Sequence, residues 1–158
     1  MKKLFFLIII ISSSISYSQD KPTYPEPQKG FKRVDLVLPK IENEKNYKVE
    51  VKFGMETSVI ECADASFSFP QKNLKTEYGI SYSERFPYYI LINDIAEVLE
   101  TRGSNCKSKT NVNKKIFSGN TIMVEYQSYY ARPFYIPESW TLEYRIWKAP
   151  DNFTTVKK

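Results

Sequence analysis

The chain has 158 residues, 23 Lys and Arg against 18 Asp and Glu, a formal net charge of +5 and no histidine. Without histidine a Ser-His-Asp or Cys-His hydrolase cannot be built, nor can the usual histidine-containing zinc sites, and two cysteines are too few for a Cys₄ site. The acidic residues are scattered, with no spacing that singles out a pair for glycoside hydrolysis, and no Gly-rich phosphate loop occurs, so an enzyme is disfavoured and neither metal nor cofactor is expected.

In chain order, Lys2 and Lys3 form a positive n-region, residues 4–11 an unbroken apolar run, and Ser16-Tyr17-Ser18 a small-residue cleavage signature. The apolar run is far shorter than the ~20 residues needed to span a bilayer. Residues 1–18 are therefore predicted to be a cleaved secretory signal, and residues 19–158 one domain. That domain, about 140 residues, is large enough to fold without several disulfides. No cysteine lies near the cleavage point to carry a lipid, and no membrane attachment is expected after cleavage. Residues 20–27 carry Pro22, Pro25 and Pro27 and should form an extended entry arm.

Strand signals follow. Tyr47-Lys48-Val49-Glu50-Val51-Lys52-Phe53 alternates apolar and charged residues, the period-2 pattern of a strand with one face on a core. Residues 34–38 and 58–62 repeat the pattern more briefly. Residues 88–92 are a continuous apolar run, and residues 122–126 and 140–147 are β-branched or aromatic in character. Pro39, Gly54, Pro87, Gly119-Asn120, Pro133 and Pro137 read as the breakers between them. One competing pattern stands out: Ile95, Val98, Leu99 and Arg102 follow helical spacing, with Asn93 or Asp94 able to cap the start and Gly103 the end. If that helix forms, Arg102 is a last-turn cation favoured by the dipole. Lys72, Lys75, Lys107, Lys109, Lys114 and Lys115 read as solvated loop lysines, so no nucleic-acid partner is expected. The domain as a whole reads as all-β.

The two cysteines, Cys62 and Cys106, allow one intramolecular pairing, and export makes that bridge chemically reasonable; two free or intermolecular thiols are the alternative. If the bridge forms, it pins the polar segment Thr101-Arg102-Gly103-Ser104-Asn105-Cys106 to a distant part of the fold. A pinned surface loop displaying one arginine has the form of bait for a trypsin-like protease.

Three stretches resemble one family. Tyr24-Pro25-Glu26-Pro27-Gln28-Lys29-Gly30-Phe31-Lys32-Arg33 resembles the YP…KGxKR opening of ecotins, periplasmic serine-protease inhibitors of Gram-negative bacteria. Tyr144-Arg145-Ile146-Trp147-Lys148-Ala149 is similar to their YRVWKA segment, and residues 126–137 follow the family spacing without a gap. Cys62 falls where the first cysteine is expected, and Tyr88-Tyr89 matches a tyrosine pair. The resemblance implies an antiparallel β-barrel or sandwich with long surface loops and one disulfide. It also implies substrate-like inhibition of chymotrypsin-fold serine proteases in the periplasm.

Residue by residue, the resemblance makes Thr101, Arg102, Gly103 and Ser104 the reactive-site loop. Matching the threonine places Arg102 at P1, the side chain that enters the protease's S1 pocket, and Gly103 at P1′. Counting back from Cys106 places Gly103 at P1, because this chain has one extra residue before the cysteine. Arg102 is preferred, since glycine offers an S1 pocket nothing. A second protease-binding surface would fall on Glu125, Tyr126, Gln127, Ser128, Tyr129 and Tyr130. A homodimer strand would be supplied by Tyr144, Ile146 and Trp147, although Pro150, which lacks a ladder donor, follows closely. The alternative from another class is a secreted β-sandwich binding or envelope module with no protease target.

Overall fold

The computed structural model describes residues 22–80 and 85–156. The signal predicted over residues 1–18 lies outside the described residues. Among the described residues there are nine strands: β1 (Phe31–Leu36), β2 (Tyr47–Ile60), β3 (Asp64–Ser68), β4 (Leu74–Ile80), β5 (Arg85–Leu91), β6 (Glu97–Thr101), β7 (Asn111–Glu125), β8 (Arg132–Pro137) and β9 (Trp140–Lys148). They form a four-stranded sheet in the order β1-β8-β5-β4 and a five-stranded sheet in the order β6-β3-β7-β2-β9. The helical segments among the described residues are two single 3₁₀ turns, Glu44–Asn46 and Gln71–Asn73. The all-β expectation holds, as does the single disulfide between Cys62 and Cys106.

The alternation in β2 does what its period requires. Val49, Val51 and Phe53 are fully buried, while Lys48, Glu50 and Lys52 take the opposite face. Each side chain so buried contributes about 1.5–3 kcal/mol relative to exposure. The core between the sheets closes around Trp140, whose ring meets Phe53, Phe67 and Phe69 with centroids 6.1, 4.9 and 5.8 Å away. From the four-stranded sheet, Leu36, Leu91, Phe134 and Ile136 complete the same cluster.

Several local readings are corrected. The helix competing over residues 93–102 does not form; residues 97–101 are strand β6, in antiparallel register with β3 from Asp64↔Thr101 to Ser68↔Glu97. A lone helix of that length is marginal without a packed face, whereas the β3 edge offers a ready ladder. Gly54 breaks nothing: it sits inside β2 at a register shift, where a Cβ would lie 2.6 Å from Thr141 Oγ1 and 3.1 Å from Phe117. The missing side chain lets those neighbours on β9 and β7 close over the strand. Gly119-Asn120 is likewise carried through within β7.

Pro87 and Pro133 also lie inside strands, whereas Pro137 closes β8 before the turn to β9, as its breaker reading expects. The parallel β5–β8 contact spans only Tyr89↔Phe134 and Ile90↔Tyr135. Pro87, Pro133 and Pro137 lie outside those two pairs, opposite Tyr78 on β4 and Asp35 and Phe31 on β1.

Candidate functional site: an edge-strand arginine and a braced loop

Strand β6 is the outer edge of the five-stranded sheet, and all of its side chains are exposed. It runs extended to Thr101, paired with Asp64, and Arg102 follows as the first residue beyond the ladder. Arg102 is exposed and makes no ion pair or side-chain hydrogen bond with another described residue. The chain then turns: Cys106 N–H donates to Gly103 O at 2.9 Å, with Ser104 and Asn105 at the exposed tip.

Both flanks of the segment are anchored. After the turn, the disulfide joins Cys106 to Cys62 with a Cα–Cα distance of 5.3 Å and a sequence separation of 44. Beyond it, Ser108 Oγ donates to Glu61 Oε2 at 3.1 Å, and Glu61 N–H donates to Thr110 O at 2.9 Å. Lys114 Nζ donates to the Glu61 carbonyl at 2.5 Å. Before β6, the buried Asn73 donates through Nδ2 to Asn93 Oδ1 at 2.8 Å, and Ile92 N–H donates to Asn73 O at 2.9 Å. Asn93 Oδ1 also accepts from Ile95 N–H at 3.2 Å, an Asx turn that launches the strand.

The six candidate residues of the second surface close β7 and enter the β7–β8 loop, and the structure sorts them by depth. Glu125 ends β7 and is ion-paired with Lys48. Tyr126 is buried, with its hydroxyl donating to Pro39 O at 2.6 Å. Burial pushes its phenol pKa up, with Glu44 adding to the effect. Ser128 is held by Glu44 through both its hydroxyl and its backbone N–H. Tyr130 is buried and its hydroxyl donates to Gln127 Oε1 at 2.6 Å. Tyr129 alone of the three tyrosines is exposed, its ring 5.0 Å from that of Tyr130 and 6.3 Å from that of Phe86.

A sequence model of the ecotin family matches residues 20–149. The chain belongs to the ecotin family. It is 33% identical over 138 residues to an ecotin-like protein of Methylobacillus flagellatus, covering 87% of this chain and 81% of the relative. It is 29% identical to an ecotin of Serratia proteamaculans, over 85% of this chain and 76% of that one. An ecotin of Pseudomonas fluorescens matches at 30%, with coverages of 84% and 80%. Ecotin membership implies serine-protease inhibition.

The third set of candidate residues in this ecotin lies on β9, the other edge of the five-stranded sheet. Tyr144 and Ile146 pair in register with the core residues Val51 and Val49, yet stand 47% and 42% exposed. They lie on the core-facing side of the sheet, beyond the reach of the second sheet. Trp147, 49% exposed, lies on the opposite side, where its Nε1 donates to Glu50 Oε2 at 2.6 Å beside the Arg145–Glu50 ion pair. Those two donors hold the Glu50 carboxyl below the usual carboxylate range. Beyond the strand, Ala149 N–H donates to Asn46 O at 2.8 Å, so Pro150 falls just past the last bond.

Sequence reasoning missed Asn73, Phe86 and Arg132, and read Asn93 only as a candidate helix cap. The asparagines stand in ordinary turn contexts, and Phe86 adjoins a tyrosine only after folding. Arg132 had one visible oddity: a cation opening the otherwise apolar run Pro133-Phe134-Tyr135-Ile136-Pro137.

Proposed function

We propose that this ecotin is a secreted, periplasmic, reversible inhibitor of trypsin-like serine proteases of the chymotrypsin fold, with Arg102 at P1 and Gly103 at P1′. The observation that carries the reading is the exposed Arg102 at the end of an edge strand, directly before a turn that the Cys62–Cys106 bridge tethers. A planar guanidinium suits an aspartate at the base of an S1 pocket, where bidentate charge-assisted hydrogen bonds are strong. Extended backbone through Thr101, with the outer side of β6 unpaired, suits addition of the strand to the edge of a protease sheet.

The tether explains why a good substrate would be a poor one to finish. If the protease opens the Arg102-Gly103 bond, the new Gly103 amine stays attached through the turn and the bridge. Held near the acyl carbon at high effective concentration, it competes with water and reforms the peptide. Anchors on both sides also reduce the ordering entropy lost on docking.

The second surface in this proposal is Glu125, Tyr126, Gln127, Ser128, Tyr129 and Tyr130, with Tyr129 as the displayed anchor and Tyr126 and Tyr130 as its support. Tyrosine gives large contact area at low entropy cost. A homodimer formed through the uncovered Tyr144 and Ile146 side of β9, flanked by Trp147, would link two such surfaces and raise apparent affinity through effective concentration.

The test is a titration of bovine trypsin with the purified, oxidised mature domain, followed by mass spectrometry of the mixture. A stoichiometric endpoint with any nick confined to Arg102-Gly103 is expected. Folded, disulfide-bonded protein that leaves trypsin uninhibited, or that is rapidly cleaved there, would overturn the reading in favour of a binding or envelope module.

A further inference from the structure

Among the described residues, Arg132 is the one charged side chain that is buried, only 4% exposed. None of the four ion pairs among those residues includes it, and its Nε finds no acceptor there. A guanidinium sunk beside apolar strands is costly unless its donors are used. Its remaining nitrogens are used, and all toward one target. Nη1 donates to Glu125 O at 2.9 Å, and Nη2 donates to Gln127 Oε1 at 2.6 Å and to the Tyr130 hydroxyl at 3.2 Å.

Those three acceptors span the loop. Glu125 is the last residue of β7, Gln127 and Tyr130 lie within the connection, and Arg132 is the first residue of β8. One side chain therefore ties both ends and the middle of residues 125–132 together. The Tyr130 hydroxyl closes a triangle by donating to the same Gln127 oxygen at 2.6 Å. The guanidinium also lies 5.7 Å from the centre of the Tyr130 ring. The planar fork is what allows several acceptors to be met at once; a lysine ammonium at the end of a flexible stem has no such geometry.

We infer that Arg132 is a positioning residue for the second protease contact: its fork holds loop 126–131 in the shape that turns Tyr130 inward and leaves Tyr129 displayed. The inference rests on the proposal that this loop is a protease-binding surface. Arg132 itself is too deep to touch a partner, so its effect must pass through the loop.

The experiment removes the arginine at P1 so that only the second surface reports. Binding of bovine trypsin is measured for the oxidised mature chain carrying Arg102→Asp, alone and combined with Arg132→Met, Arg132→Lys or Tyr130→Phe, with thermal unfolding of each. Arg132→Met should weaken residual binding at least tenfold. Arg132→Lys should restore little of it, and Tyr130→Phe should cost a few-fold. General loosening of the fold would instead lower the melting temperature of Arg132→Met and, with Arg102 retained, accelerate cleavage at Arg102-Gly103.

Folded Arg132→Met protein binding within twofold of its parent would overturn the inference. If that variant does not fold, Arg132→Lys and Tyr130→Phe decide, and undiminished binding by both would overturn it equally. Absence of any binding by Arg102→Asp alone would sink the second-surface reading, and the inference with it, before Arg132 is touched.

Discussion

The Arg102 segment and the β7–β8 loop are held by opposite means. The first is fixed at its flanks, by a ladder with β3, a disulfide and an asparagine pair, and its displayed side chain makes no hydrogen bond or ion pair with another described residue. The second is fixed from beneath, by Arg132, Glu44 and Tyr126 acting through side chains. Backbone and covalent anchors do not depend on which residue occupies position 102, so that residue can change without changing the loop. In the β7–β8 loop the supporting residues are the loop's own neighbours, and altering them alters its shape.

The largest expected effect separates recognition from support. Arg102→Asp should weaken trypsin inhibition roughly a thousandfold or more, because a like charge replaces an ion pair worth about 2–5 kcal/mol in a desolvated pocket. Its thermal unfolding should match the parent. Undiminished inhibition would remove Arg102 from P1, and a falling melting temperature would mean that the flanks do not carry the loop.

Next comes the covalent anchor. Replacing both Cys62 and Cys106 with alanine should lower stability by about 4 kcal/mol in the loop-entropy account. It should also convert inhibition into turnover at Arg102-Gly103, read by mass spectrometry after trypsin addition. Binding through the β7–β8 loop should survive in the cold, where the variant stays folded. Slow cleavage of the reduced-loop variant would show that the β3 ladder suffices.

A smaller effect is expected from Asn73→Ala, which strips a buried partner from Asn93 and costs about 1–3 kcal/mol. Denaturant unfolding would read the loss, and faster cleavage at Arg102 would show that it reaches the loop.

The smallest effect depends on pH. Burial raises the phenol pKa of Tyr126 above its usual 10, and that of Tyr24 to about 12. A raised folded pKa means the native state holds protons that the unfolded chain has released. The stability is therefore complete below pH 10 and is lost as pH rises from about 10 through 12. Tyr126→Phe should flatten that decline, and the β7–β8 loop should respond before the tyrosine-free segment of residues 97–106. An alkaline melting profile identical for both proteins would contradict the assigned burial.

Some of this was legible in the sequence. The Tyr47–Phe53 alternation needed only the period of a strand to place Val49, Val51 and Phe53 in the core. The end motifs and the matched spacing were enough to point to the family, and two cysteines admit one bridge within the chain. Other features were not legible, because local pattern does not contain the partner. Residues 93–102 fit a helix as well as a strand until the β3 edge is available to pair with them. Gly54, Pro87 and Pro133 look like breakers until the neighbouring strands are there to pair with theirs.

The sequence by itself determined the strand periods of this ecotin, its one possible intramolecular bridge and an arginine just before the second cysteine. Those depend on residue type and short spacing. Only the tertiary structure decided that Arg102 stands free at an edge while Arg132 is buried as a brace. Two arginines identical in chemistry are told apart by their surroundings among the described residues: one is exposed with no hydrogen bond or ion pair, and the other is buried against Glu125, Gln127 and Tyr130.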